Sequence, residues 1–195
     1  MKKLLLALLL VSSVFSFSAE RTLSYEETFL DKKTGIVYAI GEKTPYTGVV
    51  ENYKFLSGDR VLEGRIIFKN GLMEGTFKLL YPSGKTASIA TYKNGKTEGS
   101  VRKYYPNGKL ESEEKYKNGL REGLTKLYYE DGSLKAEKFY KNDKLQGISK
   151  IYYPNGKLQI EASFKEDKLD GISKEYDETG KIIDQTTFKD NKQIN

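Results

Sequence analysis

The sequence predicts an all-β fold, an elongated antiparallel meander of β-hairpin repeats that lie in a single sheet. The first observation is a period of 24 residues between five glycines, Gly75, Gly99, Gly123, Gly147 and Gly171. The second is a further glycine nine residues after each of these, at Gly84, Gly108, Gly132, Gly156 and Gly180. The third is that the runs between turns are only about six to eight residues long and rich in Tyr, Phe, Ile and Thr. Such runs suit strands and are too short for stable helices.

Residues 1–19 have the pattern of a signal peptide. Two lysines precede an apolar run at residues 4–17, and small residues close the run. The run is too short to span a membrane comfortably, and no cysteine follows it to carry a lipid anchor. Cleavage is expected after Ser18 or Ala19, so the mature protein is predicted to be exported to the periplasm, displayed on the outer surface or secreted.

Residues 20–47 precede the periodic region and are predicted to form an N-terminal β cap. The segment is charged and turn-like as far as Lys33. Residues 36–40, Ile-Val-Tyr-Ala-Ile, have the composition of one strand, which would form a hairpin across Thr34-Gly35 or at Gly41. Such a cap covers the end of an open sheet, where unpaired backbone groups would otherwise attract further strands.

Six copies of the unit follow, and residues 99–122 show it most clearly. A Tyr-Tyr pair at 104–105 precedes Pro-Asn-Gly at 106–108, a sequence that suits a type I turn closed by a glycine bulge. Lys-Asn-Gly at 117–119 marks the return turn. Each copy is therefore predicted to be a hairpin that advances the sheet by about 9.6 Å, two strand spacings. The six copies are residues 48–74, 75–98, 99–122, 123–146, 147–170 and 171–195.

The turn predicts how side chains divide between the two faces of the sheet. Residues at equal distances from the turn lie opposite each other, so Tyr104 is predicted to face Leu110. Simple alternation then places Tyr116 on that same face, which we expect to be apolar and to pack each hairpin against the next. On this view, serine in place of Leu110, Leu134 and Leu158 would unfold the array.

The second tyrosine of each pair is predicted to point to the opposite, wetter face of the sheet, together with Glu113, Glu137 and Glu161. One interpretation is a solvated face whose tyrosines shield the backbone. The other is a binding surface for an extended or repetitive ligand, because tyrosine buries a large area at little entropic cost. The candidate binding residues are Tyr81, Tyr105, Tyr129, Tyr153, Lys85, Lys109 and Lys157.

The unit resembles the bacterial variant of the MORN repeat, and the likeness extends over residues 45–195. It rests on Tyr-Tyr-Pro-Asn-Gly-Lys-Leu at 104–110 and 152–158, on Tyr-Lys-Asn-Gly at 92–95 and 116–119, and on Pro-Tyr-Thr-Gly at 45–48. The resemblance implies β-hairpin repeats that act in binding or scaffolding. Some bacterial members carry an antitoxin-type label.

The composition argues against several classes of function. The chain has no histidine and no cysteine, so it lacks the commonest general base, thiol chemistry and disulfides. Glu113 and its equivalents recur once per copy, as cross-strand ion-pair partners do. The formal charge of +6 falls to +4 once Lys2 and Lys3 leave with the signal peptide. No catalytic residues, metal ligands or cofactors are therefore predicted, and nucleic acid is not an expected partner.

The export signal, the repeat array and the missing catalytic residue types together predict a non-enzymatic scaffold outside the cytoplasm. Its expected partner is a protein or a component of the cell envelope or of a host surface. One alternative is an antitoxin or immunity protein that neutralises a toxin, although a cytoplasmic antitoxin would need no signal peptide. A less favoured alternative is binding to an anionic membrane surface, which would weaken as the salt concentration rises.

Overall fold

A computed structural model of the chain describes residues 21–57 and 60–194. The predicted signal peptide, residues 1–19, lies outside this part of the chain. The described residues form strands, turns and one short 3-10 helix at Tyr25–Glu27, so the predicted all-β fold is confirmed. None of their helical segments is long and apolar enough to cross a membrane.

The strands form a main sheet of 17 and a small sheet of two. The strands before residue 75 are β1 (Thr22–Ser24), β2 (Thr28–Asp31), β3 (Ile36–Ala39), β4 (Gly48–Ser57), β5 (Arg60–Lys69) and β6 (Leu72–Met73). The later strands are β7 (Gly75–Leu80), β8 (Thr86–Lys93), β9 (Lys96–Tyr104), β10 (Leu110–Lys117), β11 (Leu120–Arg121), β12 (Gly123–Tyr128), β13 (Leu134–Lys141), β14 (Lys144–Leu145), β15 (Gly147–Tyr152), β16 (Leu158–Lys165), β17 (Lys168–Tyr176), β18 (Ile182–Lys189) and β19 (Lys192–Gln193). Only β2 and β3 belong to the small sheet.

From β4 onward the strands of the main sheet pair antiparallel in sequence order, as the meander prediction requires. Strand β9, for example, pairs with β8 on one side and with β10 on the other. The two-residue strands β6, β11 and β14 each lead, after one intervening residue, into the next long strand. The exception to the antiparallel rule is β1, which lies parallel to β4 with Thr22 opposite Val49.

The predicted turns form with the chemistry that their residues favour. The Gly108 amide donates a hydrogen bond to the carbonyl oxygen of Tyr105 at 2.8 Å, and Gly108 has a φ of 93°. This is a tight turn closed by a residue in the left-handed region, where glycine carries no steric penalty. The return turns place Asn94 and Gly95 at φ values of 50° and 75°, which is the pattern of a type I′ hairpin turn.

A β-bulge follows the turn of each hairpin from β7–β8 onward and changes the division of side chains. Tyr104 lies opposite Leu110, as predicted, but the pairing then skips Glu111 and places Ser112 opposite Lys103. The same shift occurs in the other four hairpins. Because one extra residue reverses the alternation of a strand, the rest of each second strand is inverted relative to the simple prediction.

The prediction that Tyr116 shares the face of Tyr104 is therefore wrong, as is the placement of the recurrent glutamates with the second tyrosines. Tyr116 lies opposite Gly99, on the other side of the sheet from Tyr104, and Glu113 lies opposite Arg102.

We call the side that carries Phe77, Val101, Thr125, Ser149 and Ser173 the groove face. We call the opposite side, which carries Lys78, Arg102, Lys126, Lys150 and Lys174, the ion-pair face.

The hydrophobic core lies at the N-terminal end of the array. Strand β3 contributes Val37 and Ala39, which pack with Tyr46, Ile66 and Phe68. The β2–β3 hairpin turns at residues 32–35, one of the two predicted positions, and adds a second layer over the first strands of the main sheet. Beyond residue 120 the buried side chains are small, namely Thr125, Ala136, Ser149 and Ala162.

Candidate functional site

The groove face contains a cavity of about 400 Å³ next to the capped end of the array. Its apolar lining comes from the first three copies and consists mainly of Phe55, Leu62, Phe77, Leu79, Tyr92 and Val101. Polar groups are supplied by Tyr81, Lys103, Glu111 and Tyr116. A largely apolar wall with a few polar groups at one side is the usual chemistry of a binding pocket.

The aromatic walls of the cavity follow from the pairing of each ring with a glycine. Tyr92 lies directly opposite Gly75, and Tyr116 lies opposite Gly99. The missing side chain leaves room for a ring over the backbone, which is how an aromatic residue stabilises a glycine in a neighbouring strand. The rings of Phe77 and Tyr92 are stacked, with their centroids 5.2 Å apart.

A small polar network lies at the edge of the cavity. Glu114 accepts hydrogen bonds from Lys103 Nζ at 3.3 Å and from the Tyr116 hydroxyl at 2.9 Å. Burial, followed by the charge of Glu114, raises the pKa of Tyr116 to about 12. The Tyr116 hydroxyl is therefore protonated near neutral pH and acts as a hydrogen-bond donor.

The four predicted tyrosines connect each repeat to the next. Their hydroxyl groups donate to the carbonyl oxygens of the first tyrosine in the following copy, and the four pairs are Tyr81 to Tyr104, Tyr105 to Tyr128, Tyr129 to Tyr152 and Tyr153 to Tyr176. The last three distances are 2.7, 2.7 and 2.8 Å. Burial raises the pKa of Tyr105, with Glu111 contributing in the same direction. These contacts give the tyrosine column a structural role between repeats.

The predicted lysines lie beside the turns of the neighbouring copies. Lys109 Nζ donates to the Asp131 carbonyl oxygen at 2.6 Å, and Lys157 Nζ donates to the Thr179 carbonyl oxygen at 3.0 Å. Lys85 is exposed at the turn after β7. Of the seven predicted binding residues, Tyr81 lines the cavity.

The recurrent carboxylates form ion pairs across strands, as expected from the sequence. The pairs are Arg102 with Glu113 at 2.9 Å, Lys126 with Glu137 at 3.3 Å, and Lys150 with Glu161 at 3.6 Å. They form a row of alternating charge on the ion-pair face. Across residues 21–57 and 60–194, no three acidic side chains come together in a way that could hold a metal ion.

Most of the cavity lining was missed by the sequence analysis. Phe55 and Leu62 belong to the first copy, whose spacing departs from the 24-residue period, so their place in the array could not be read from the repeat. One sequence feature does indicate part of the lining. The residue two positions after the repeat glycine is large and apolar in the second and third copies, where it is Phe77 and Val101. These large apolar residues mark the deep side of the groove face.

Comparison with protein families gives one repeated match. The model described as the MORN repeat variant matches residues 73–94, 97–118, 121–142, 145–166 and 169–190, which together exceed half of the chain. The five matches keep the 24-residue step of the hairpins. The set of curated proteins contains no significant match to the chain.

Proposed function

The chain belongs to the MORN repeat variant family, and from this premise we propose that it is an exported, non-enzymatic scaffold that binds a protein or a cell-envelope component. The observation that carries the proposal is the cavity on the groove face. Its volume of about 400 Å³ is within the range of ligand pockets, and it can accept one or two large apolar groups.

The chemistry of the cavity favours a partner with an apolar or aromatic anchor. Phe77, Leu79 and Val101 offer apolar contacts, and Tyr116 and Lys103 offer polar contacts at the edge. An anchor that fills an apolar pocket while its polar end meets a rim is the usual form of a binding hot spot. The carboxylates that recur along the array are held in ion pairs, which supports binding over catalysis.

Export is supported by the pattern of residues 1–19, with its two lysines and apolar run. Expression of the full chain in a host with a secretory pathway is expected to yield a mature protein that begins at Ala19 or Glu20. Mass spectrometry of the exported fraction identifies the N-terminal residue of the mature protein directly. A chain found in the cytoplasm with residues 2–19 intact would contradict the export proposal.

Filling the cavity is expected to abolish partner binding. Ala90 lines the cavity opposite Phe77, so Ala90→Trp places a large ring in the space that a ligand would occupy. Thr91→Trp is the matched control, because its side chain lies on the ion-pair face of the same strand. Pull-down from envelope fractions with wild type and both variants, followed by mass spectrometry, measures the effect.

The proposal requires a partner that Thr91→Trp retains and Ala90→Trp loses at least tenfold. Equal recovery by both variants would place the binding surface elsewhere on the molecule. Recovery of a toxin as the sole partner would replace the scaffold function with an immunity function. Circular dichroism of both variants establishes that the sheet is intact in the compared samples.

A further inference from the structure

The order of polar and apolar residues after the repeat glycine reverses halfway along the array. The second and third copies read Gly-Thr-Phe and Gly-Ser-Val, whereas the next three read Gly-Leu-Thr, Gly-Ile-Ser and Gly-Ile-Ser. The backbone does not reverse, because the pairing of each copy keeps the same register. The apolar residue therefore moves from the groove face to the ion-pair face at residue 124.

In the later copies, apolar side chains are therefore exposed to solvent while polar side chains are buried, the opposite of what a stable surface requires. Leu124, Ile148 and Ile172 are 41%, 55% and 46% exposed on the ion-pair face. Thr125 and Ser149 are buried on the groove face, and their hydroxyl groups find no hydrogen-bond partner among the described residues. Exposed apolar groups beside buried polar ones lower the stability of a free chain, so the arrangement is typical of a surface that is covered in use.

The exposed apolar residues form a row across neighbouring strands that is interrupted by Ser163, which lies opposite Ile148. Phe139, 43% exposed, lies directly opposite Leu124 in the β12–β13 pair. Ile148 lies on β15, which pairs with β13 at Ala136–Ile151 and Glu137–Lys150; beyond this point the register shifts, and the Gln146 amide donates to the Phe139 carbonyl oxygen. The corresponding positions nearer the cap are Thr76, Thr91, Ser100 and Lys115, so the apolar row is confined to the later copies.

We propose that the ion-pair face of residues 123–189 is the interface of a homodimer, in which it packs against the same face of a second copy. The six principal strands from β12 to β18 span about 29 Å at about 4.8 Å per strand, and about 20 Å along the strands. The resulting footprint of about 600 Å² approaches the roughly 800 Å² per partner of a standard interface.

The charges on this face favour a second copy over a highly charged partner. Lys126, Glu137, Lys150, Glu161 and Lys174 alternate along the row, and the lysines of β12 and β15 are already paired with glutamates. A strongly acidic or basic partner would gain little from a row that is nearly neutral. A two-fold axis parallel to the strands and between β15 and β16 places Lys150 over Glu161 and Glu137 over Lys174, whereas Lys126 lies over the neutral Gln185.

The same axis places one apolar pair together, while Ile148 faces Ser163 of the second copy. Lys150 of one copy then faces Glu161 of the second copy, and Phe139 faces Ile172 of the second copy. Two sheets packed face to face with aligned strands bury their side chains in a layer about 10 Å thick. The groove face points away from this interface in both copies, so dimerisation leaves both cavities open.

The mass of the mature chain in solution tests the proposal. Sedimentation or light scattering at micromolar concentration is expected to give twice the mass of one chain for wild type. Ile148→Lys is expected to halve that mass, because it buries a charge at the centre of the apolar row. Ser100→Lys is the matched control, since Ser100 occupies the same position of an earlier copy on the same face, and this variant is expected to remain a dimer.

Ile172→Lys provides a second variant, and circular dichroism with thermal melting shows that each variant is folded. A wild-type chain that is monomeric throughout the concentration range would overturn the proposal, as would dissociation of Ser100→Lys to the same extent as Ile148→Lys. A folded Ile148→Lys and a folded Ile172→Lys that both remain dimeric would also overturn it.

Discussion

The combined variant Tyr105→Ser, Tyr129→Ser and Tyr153→Ser is expected to lose most of its stability. Each change removes a half-buried ring and the hydroxyl that donates to the backbone of the following copy. The ring and the hydrogen bond together contribute about 2 kcal/mol at each position, or about 6 kcal/mol for the three. A loss of about 6 kcal/mol is comparable to the whole free energy of unfolding of a typical domain. Urea denaturation followed by circular dichroism measures the change.

Two further variants separate the parts of this effect. The triple change to phenylalanine at the same positions keeps the rings and is expected to cost about 1 kcal/mol per hydroxyl. The serine triple variant at Leu110, Leu134 and Leu158 is expected to cost less than the tyrosine variant, because the leucines lie half-exposed on the ion-pair face. If the triple serine variant had the same urea midpoint of unfolding as the wild type, a structural role for Tyr105, Tyr129 and Tyr153 would be contradicted.

Gly71→Ala is expected to detach the N-terminal cap and to lower the free energy of unfolding by about 3 kcal/mol. A Cβ atom at this position would overlap Ile36 Cγ2 and would lie 2.7 Å from the Val37 carbonyl oxygen. The Gly71 backbone also binds the cap directly, because its amide donates to the Tyr46 carbonyl oxygen at 2.6 Å and its own carbonyl accepts from the Val37 amide at 3.0 Å. The backbone must therefore shift to admit a methyl group.

Gly119→Ala is the control, because Gly119 occupies the same position two copies later. Its φ of 85° is close to the 73° of Gly71, but the nearest atom to an added Cβ would be Lys96 Cβ at 3.7 Å. Only the left-handed backbone then opposes the change, at a cost of about 1 kcal/mol. Equal losses of stability in the two variants would mean that strain of the backbone, and not the cap contact, sets the cost at Gly71.

The two faces of the array have different chemistry along its length. Near the cap, the groove face is apolar and encloses the cavity beside Phe77 and Val101. Farther along, the exposed apolar groups lie on the ion-pair face, where Ile148 is the most exposed of the row. This difference is the basis of the two proposals, in which the groove face binds a partner and the ion-pair face binds a second copy.

The hairpins, their order and their turns could be predicted from the sequence because they depend on local interactions. The alternation of apolar and polar residues defines the strands, and Pro-Asn-Gly at 106–108 selects its turn whatever the rest of the chain does. The 24-residue step then repeats the same hairpin. Because each repeat in such an array contacts only its neighbours, the copies pair in sequence order. Recurrent Glu113 was likewise recognised as an ion-pair partner from its period.

The faces, the cavity and the cap contact were decided by the tertiary structure. The residue types at Leu110, Glu111 and Ser112 do not predict a β-bulge. The bulge nevertheless adds one residue between Leu110 and Ser112, and this moves Tyr116 to the other side of the sheet. The cavity and the contact between Gly71 and the cap both bring together segments that are distant in the sequence. Phe55 lines the cavity together with residues of β7, and β3 is hydrogen-bonded to the β5–β6 turn. Local patterns specify which strands form, whereas the side on which a side chain lies depends on a register that only the paired strands establish.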